Sequence, residues 1–183
     1  MSSLERIIAA IDGINRGVGR SVAWLALAMA LIQFVVVILR YVFAIGFIPV
    51  QELIWYLHGI LFMVGAGFTL MYDGHVRVDV FYRGASPRFR ALVDLGGSLL
   101  LLIPICILTF WLSRGYVTNS WRILEGSTEV SGLPFIYVLK TMIWVFAVLL
   151  GLQGVALAAR ALRYLRGEVD HYRAGADGQR IGG

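Results

Sequence analysis

Along the chain, apolar runs long enough to cross a bilayer alternate with short charged segments. The first run free of Asp, Glu, Lys and Arg extends from Ser21 to Leu39, between Arg20 and Arg40. The second, Leu53 to Tyr72, lies between Glu52 and Asp73, and the third, Leu95 to Ser113, between Asp94 and Arg114. The fourth, Thr141 to Ala159, lies between Lys140 and Arg160, and its apolar pattern begins near Leu133. At a rise of 1.5 Å per residue, about 20 apolar residues traverse a hydrocarbon core of roughly 30 Å. The pattern predicts an all-α integral membrane protein of four transmembrane helices, at about residues 21–45, 53–72, 95–113 and 133–159.

Ahead of the first span, Leu4, Ile7, Ile8, Ile11 and Ile14 recur at helical spacing, with Glu5, Arg6, Asp12, Asn15 and Arg16 on the other face. Residues 1–20 therefore read as a short amphipathic helix lying in the interface. Gly13, Gly17 and Gly19 predict a bend between that helix and span one. The apolar block starts too late and runs too long for a cleavable signal peptide. After Gly167 the chain turns polar and glycine-rich, which predicts a basic tail over 160–183 that is partly disordered.

Composition agrees with the pattern. Of 183 residues, 59% are hydrophobic and 15% charged, whereas a soluble domain carries about a quarter charged residues. An ordinary soluble enzyme and a disordered chain are excluded. The formal charge of +5 does not indicate a nucleic-acid partner, because a nucleic-acid footprint needs a basic face on a folded soluble domain. Position matters more than total. Twelve of the 16 basic residues lie in the N-terminal segment, the connection between spans two and three, and the C-terminal tail. The opposite side keeps Arg40, Arg114, Arg122 and Lys140. By the positive-inside rule both termini are expected in the cytoplasm.

Little in the spans suggests chemistry. Cys106 is the lone cysteine and lies inside an apolar block, so it reads as a packing residue. His58 lies about one and a half turns into span two and His75 at its other end, but seventeen residues of helix hold them about 25 Å apart, too far to ligate one haem iron. No cofactor and no metal are expected. The cores of spans one, three and four contain no ionisable residue of the kind that proton-coupled transport requires. Small residues such as Gly59, Gly65, Gly67, Gly151 and Gly154 suit close helix packing, within the bundle or against a larger membrane partner. Arg40 and Glu52 flank the first outer connection, either as an ion pair or as two separate snorkelling charges. The second outer connection, about Arg114 to Leu133, carries Tyr116, Trp121, Arg122, Glu125 and Glu129. These suit a docking surface for a soluble partner, or, for the aromatics, belt anchors.

Several segments, taken in order, resemble one family. Arg40-Tyr41-Val42-Phe43, Gln51-Glu52-Leu53, Gly65-Ala66-Gly67 and Asp73-Gly74-His75-Val76-Arg77-Val78-Asp79 are followed by Glu125-Gly126-Ser127 and Gly132-Leu133-Pro134. Leu139-Lys140, Leu152-Gln153-Gly154 and a basic end complete the series. Over about residues 20 to 167 the chain resembles the small permease subunit of tripartite ATP-independent periplasmic (TRAP) transporters. The resemblance implies a bacterial inner-membrane protein whose partners are a large permease subunit, a periplasmic substrate-binding protein and the lipid bilayer. In that setting the large subunit holds the substrate and sodium sites and moves as an elevator, while the small one is a static scaffold. The implied substrate is an organic anion, a carboxylate or 2-oxo acid. The family-pattern residues Arg40, Glu52, Gly74, His75 and Asp79 are implied to have structural or subunit-contact roles. A competing reading is a homo-oligomeric four-span exporter of small cations, which would need Glu52 in the substrate path.

Overall fold

The computed structural model describes residues 3–75, 82 and 84–176, and every regular element among them is helical. Helix α1 is Ser3–Val42, α2 Ile48–Met71, α3 Pro87–Gly97, α4 Ile103–Leu112, α5 Arg114–Arg122 and α6 Ile136–Leu165. A π-helical stretch, Ser98–Leu102, joins α3 to α4, and Pro87–Arg122 forms one 36-residue rod. This rod, α1, α2 and α6 are four helices long and apolar enough to cross a membrane. The start of α1 and the end of α6 meet, with Arg163 Nη2 at 2.5 Å from Glu5 Oε1. We call this the tail end, and the opposite end, where α1 turns into α2, the hairpin end.

Local sequence explains where the helices begin and stop. Ser86 caps α3 by accepting a hydrogen bond from Phe89 N–H at 3.3 Å, and Pro87 follows in the first turn. Pro49 similarly opens α2. Asp73 ends α2 in the left-handed region (φ 57°). There Gly74 N–H reaches Thr69 O at 2.9 Å and Asp73 N–H reaches Leu70 O at 3.1 Å, a Schellman closure. Gly167 (φ 75°) closes α6 the same way, with Glu168 N–H on Arg163 O at 3.0 Å.

The expected bend near residue 20 is absent: residues 3–20 are the first turns of α1, not a separate helix. Packing overrides the glycines' weak helix propensity. Ile8, Ile11, Asn15 and Gly19 form one buried stripe, and a Cβ on Gly19 would fall 2.2 Å from the Phe68 ring. That glycine lets α1 and α2 approach closely; it does not bend the chain. The described part of the tail is folded. Residues 168–176 fold back across the tail end, where Ala176 N–H bonds Met71 O at 2.9 Å and Arg160 Nη1 bonds Ala174 O at 3.3 Å. Span four runs on to Leu165, and α5 occupies much of the expected second connection, leaving 123–135 outside regular helix.

The core sits around α6. In its most apolar 18-residue window 44% of positions are buried, against none in that of α1. The buried face of α6 is rich in alanine (Ala147, Ala156, Ala158, Ala159, Ala161) together with Gly154, and small residues bring helices close where lipid provides no hydrophobic drive. At the tightest crossing, a Cβ on Gly67 would meet Asn15 Oδ1 and, at 3.0 Å, the carbonyl oxygen of Leu149.

The π-helical stretch has a packing cause. Asp94, Ser98 and Cys106 are buried, and Leu102 is partly so. They recur every four residues. An α-helix turns about 100° per residue, so twelve residues would carry Cys106 about 120° off the face of Asp94. One extra residue in the turn absorbs nearly all of that angle and keeps these side chains on one line.

Gly67→Ala is expected to destabilise the bundle by about 1–3 kcal/mol through overpacking, measured by thermal unfolding in detergent. Gly65 has open space around its Cβ position, so Gly65→Ala should match or exceed wild type by up to about 1 kcal/mol.

Candidate functional site

At the tail end a chain of polar side chains joins α1 to α6. Arg160 Nη2 lies 2.5 Å from both carboxylate oxygens of Asp12. Asp12 Oδ1 also accepts from Gln153 Nε2 at 3.1 Å. Gln153, fully buried, accepts in turn from Asn15 Nδ2 at 2.9 Å. The sequence pattern had placed Asp12 and Asn15 on a solvated face. The available signal was their i, i+3 spacing beside Ile8 and Ile11, facing the isolated Gln153 of span four. A second junction centres on Asp94, whose Oδ2 accepts from Tyr82 Oη at 2.6 Å and from Tyr172 Oη at 2.5 Å. It ties α3 to the returning tail.

Of the residues that the TRAP resemblance marked near this end, Gly74 completes the closure of α2, where a Cβ would press on Thr69 at 3.2 Å. His75 follows it and is exposed. Asp79 lies outside the described residues.

At the hairpin end Arg40 and Glu52 do not pair. Glu52 Oε1 accepts from Ser127 Oγ and Glu52 Oε2 accepts from Leu133 N–H at 2.6 Å. The carboxylate thus clasps both limbs of the 123–135 connection onto α2. Tyr56 Oη adds a bond to Leu133 O at 3.4 Å. Glu52 is a structural clasp, a role the spacing could not reveal because its partners lie about eighty positions away.

The expected docking residues divide into two groups. Tyr116, Trp121 and Glu125 are engaged internally. Lys140 Nζ sits 2.5 Å from Glu125 Oε2 and 3.9 Å above the Tyr116 ring. Trp121 Nε1 donates to Thr141 Oγ1 at 2.8 Å, and its ring meets Tyr137 edge-on. Arg122 and Glu129 are exposed, beside the exposed apolar side chains of Ile123, Leu124 and Val130. The Lys140 ammonium hydrogen-bonded to it holds the Glu125 carboxyl below its ordinary range. Among the described residues no group of three His, Cys, Asp or Glu side chains could hold a metal ion.

Two predictions follow from this geometry. Asp12 and Arg160 are both mostly buried, at 14% and 12% side-chain exposure, so Asp12→Leu strands a cation and should cost about 3–5 kcal/mol in thermal unfolding. Glu125 is stabilised in its charged form, and a depressed carboxyl contributes stability above its unfolded pKa and loses it as pH falls. Acid unfolding should therefore include a component that begins near pH 4.5, the ordinary glutamate value, and grows below it. Glu125→Gln should lack that component in a pH series of melting temperatures.

Comparison with curated proteins and with solved structures gives no significant match. The profile for tripartite ATP-independent periplasmic transporters, DctQ component, matches residues 29–166. That match begins within α1 and runs past the end of α6, covering well over half of the chain and all or part of all four long apolar helices. The chain therefore belongs to the DctQ family, the small component of TRAP transporters, and is a multi-pass inner-membrane subunit of a transporter rather than an enzyme.

Proposed function

We propose that this chain braces the large permease subunit of a TRAP transporter and offers part of the docking surface for its periplasmic substrate-binding protein. The system performs sodium-coupled uptake of an organic anion, a carboxylate or 2-oxo acid. One observation carries the scaffold reading: the most apolar stretch of α1 has no buried residue. Trp24, Leu27, Leu31, Phe34 and Ile38 face outward, a surface suited to lipid and to a larger membrane protein. Of the polar side chains that enter the bundle, Asp12, Asn15, Gln153 and Asp94 join its own elements.

With both termini in the cytoplasm, the hairpin end faces the periplasm. There Arg122, Glu129 and their apolar neighbours form the docking patch and Glu52 holds the fold, as Gly74 does at the opposite end. His75 and Asp79 serve as contacts with the large subunit, and Arg40 has a structural role at the hairpin end.

Reconstitution in proteoliposomes tests this reading. The chain alone should transport nothing under an inward sodium gradient, and uptake should require the large subunit and the binding protein as well. Uptake by the isolated chain would overturn it. Glu129→Arg should raise the half-saturating concentration of binding protein by about threefold to tenfold, since exposed interface charges act mainly on association rate. An unchanged value would remove Glu129 from the patch.

A further inference from the structure

A groove between α1 and α2 at the hairpin end is lined by Gln33, Val37 and Arg40 of α1 and by Gln51, Ile54 and Trp55 of α2. It encloses about 670 Å³, counting the space at its open mouth. Among the described residues, the side chains of Arg40, Gln33 and Gln51 have no hydrogen-bond or ion-pair partner. Glu52, the acid nearest in sequence, is turned away and held by Ser127 and Leu133. A guanidinium presents five donors and no acceptor and keeps its charge. At the edge of the hydrocarbon such a charge is costly until something anionic meets it. Arg40 closes the apolar stretch of α1, so it stands at that edge.

The groove carries polar groups at both ends, Arg40 and Gln51 at its mouth and Gln33 deeper, with Val36, Val37 and Ile54 between them. Beside Arg40 and Gln51 stand Tyr41 and Trp55, 82% and 74% exposed, as aromatic side chains do at headgroup depth. Deeper along the groove the walls are Val37 and Ile54. Gln33 lies seven residues before Arg40, about 10 Å down the helix, and offers one further donor.

We propose that this groove is a phospholipid site. The phosphodiester binds Arg40 and Gln51, an acyl chain lies along Val37 and Ile54, and Gln33 faces the glycerol ester region. Arginine matches phosphate geometry through paired N–H bonds. The short apolar stretch of Val36, Val37 and Ile54 between the cation and Gln33 suits an acyl chain running on from a headgroup, which a single acidic side chain of a partner protein would leave uncovered. This inference requires only that the chain spans a membrane.

The test uses the full chain, delipidated in maltoside detergent and titrated with defined lipids by native mass spectrometry. Wild type should hold one phosphatidylglycerol about tenfold more tightly than Arg40→Gln, the scale of one charge-assisted pair. Arg114→Gln, which removes another exposed arginine at the same end, should bind as wild type does. Dioleoylglycerol, which lacks the phosphate, should bind weakly and equally to all three. Equal phosphatidylglycerol affinity in Arg40→Gln and wild type would overturn the proposal. So would dioleoylglycerol binding as tightly as phosphatidylglycerol, or equal weakening by the two arginine substitutions. Unchanged lipid binding with lost assembly onto the large subunit would instead assign Arg40 to a protein carboxylate. Because Arg40 is exposed, its variant should melt with wild type once both are delipidated, which separates lipid loss from misfolding.

Discussion

The paired hydrogen bonds between Arg160 and Asp12, continued through Gln153 to Asn15, are what hold the first long helix against the last. In a bilayer, apolar side chains gain little by leaving lipid for one another, so helix association rests on close packing and on polar bonds between helices. Helix α1 shows the difficulty in its sharpest form. Its upper part has no buried residue in its most apolar window, and its firm hold is confined to the stripe Ile8, Ile11, Asn15 and Gly19. The polar chain runs along that stripe and fixes both the depth and the rotation of α1 against α6. Gly67 is forced by the same contact, because Asn15 can reach Gln153 only where α2 carries no side chain.

The remaining inward carboxylates repeat the arrangement. Asp94 joins α3 to the returning tail through two tyrosines, Glu52 joins α2 to the 123–135 connection, and Glu125 joins that connection to α6 through Lys140. Each acid links elements distant in sequence. Such a set of ties describes a body that resists internal rearrangement. What it leaves over is outward: apolar helix faces around the belt, and a small charged and apolar patch at the hairpin end.

The four spans were legible in the sequence because a bilayer imposes a length and an apolar content that composition cannot disguise. Boundaries were less legible. The glycines near residue 20 signalled a bend by propensity, yet Gly19 answers to the Phe68 ring, a contact some fifty residues away. Arg40 and Glu52 were a natural pair by proximity along the chain, but Glu52 finds its partners beyond position 125. Asp12, Asn15 and Gln153 were visible as polar residues without visible partners. Nothing in linear spacing says which helix faces which, so their joint role waited on the fold. Of the docking candidates, Trp121 and Glu125 are engaged by Thr141 and Lys140 of the same chain.

The single extra residue in the turn Ser98–Leu102 separates the third rod into two halves with independent phase. Side-chain identity there is weakly constrained, since Leu99, Leu100 and Leu101 all point outward. Chain length is constrained strongly. Removing any one of these leucines would restore a regular helix and swing everything from Cys106 to Ser113 by about 100°, carrying Phe110 and Ser113 away from Trp144. The segment therefore tolerates substitution and rejects deletion: what it encodes is a count, with the letters nearly free.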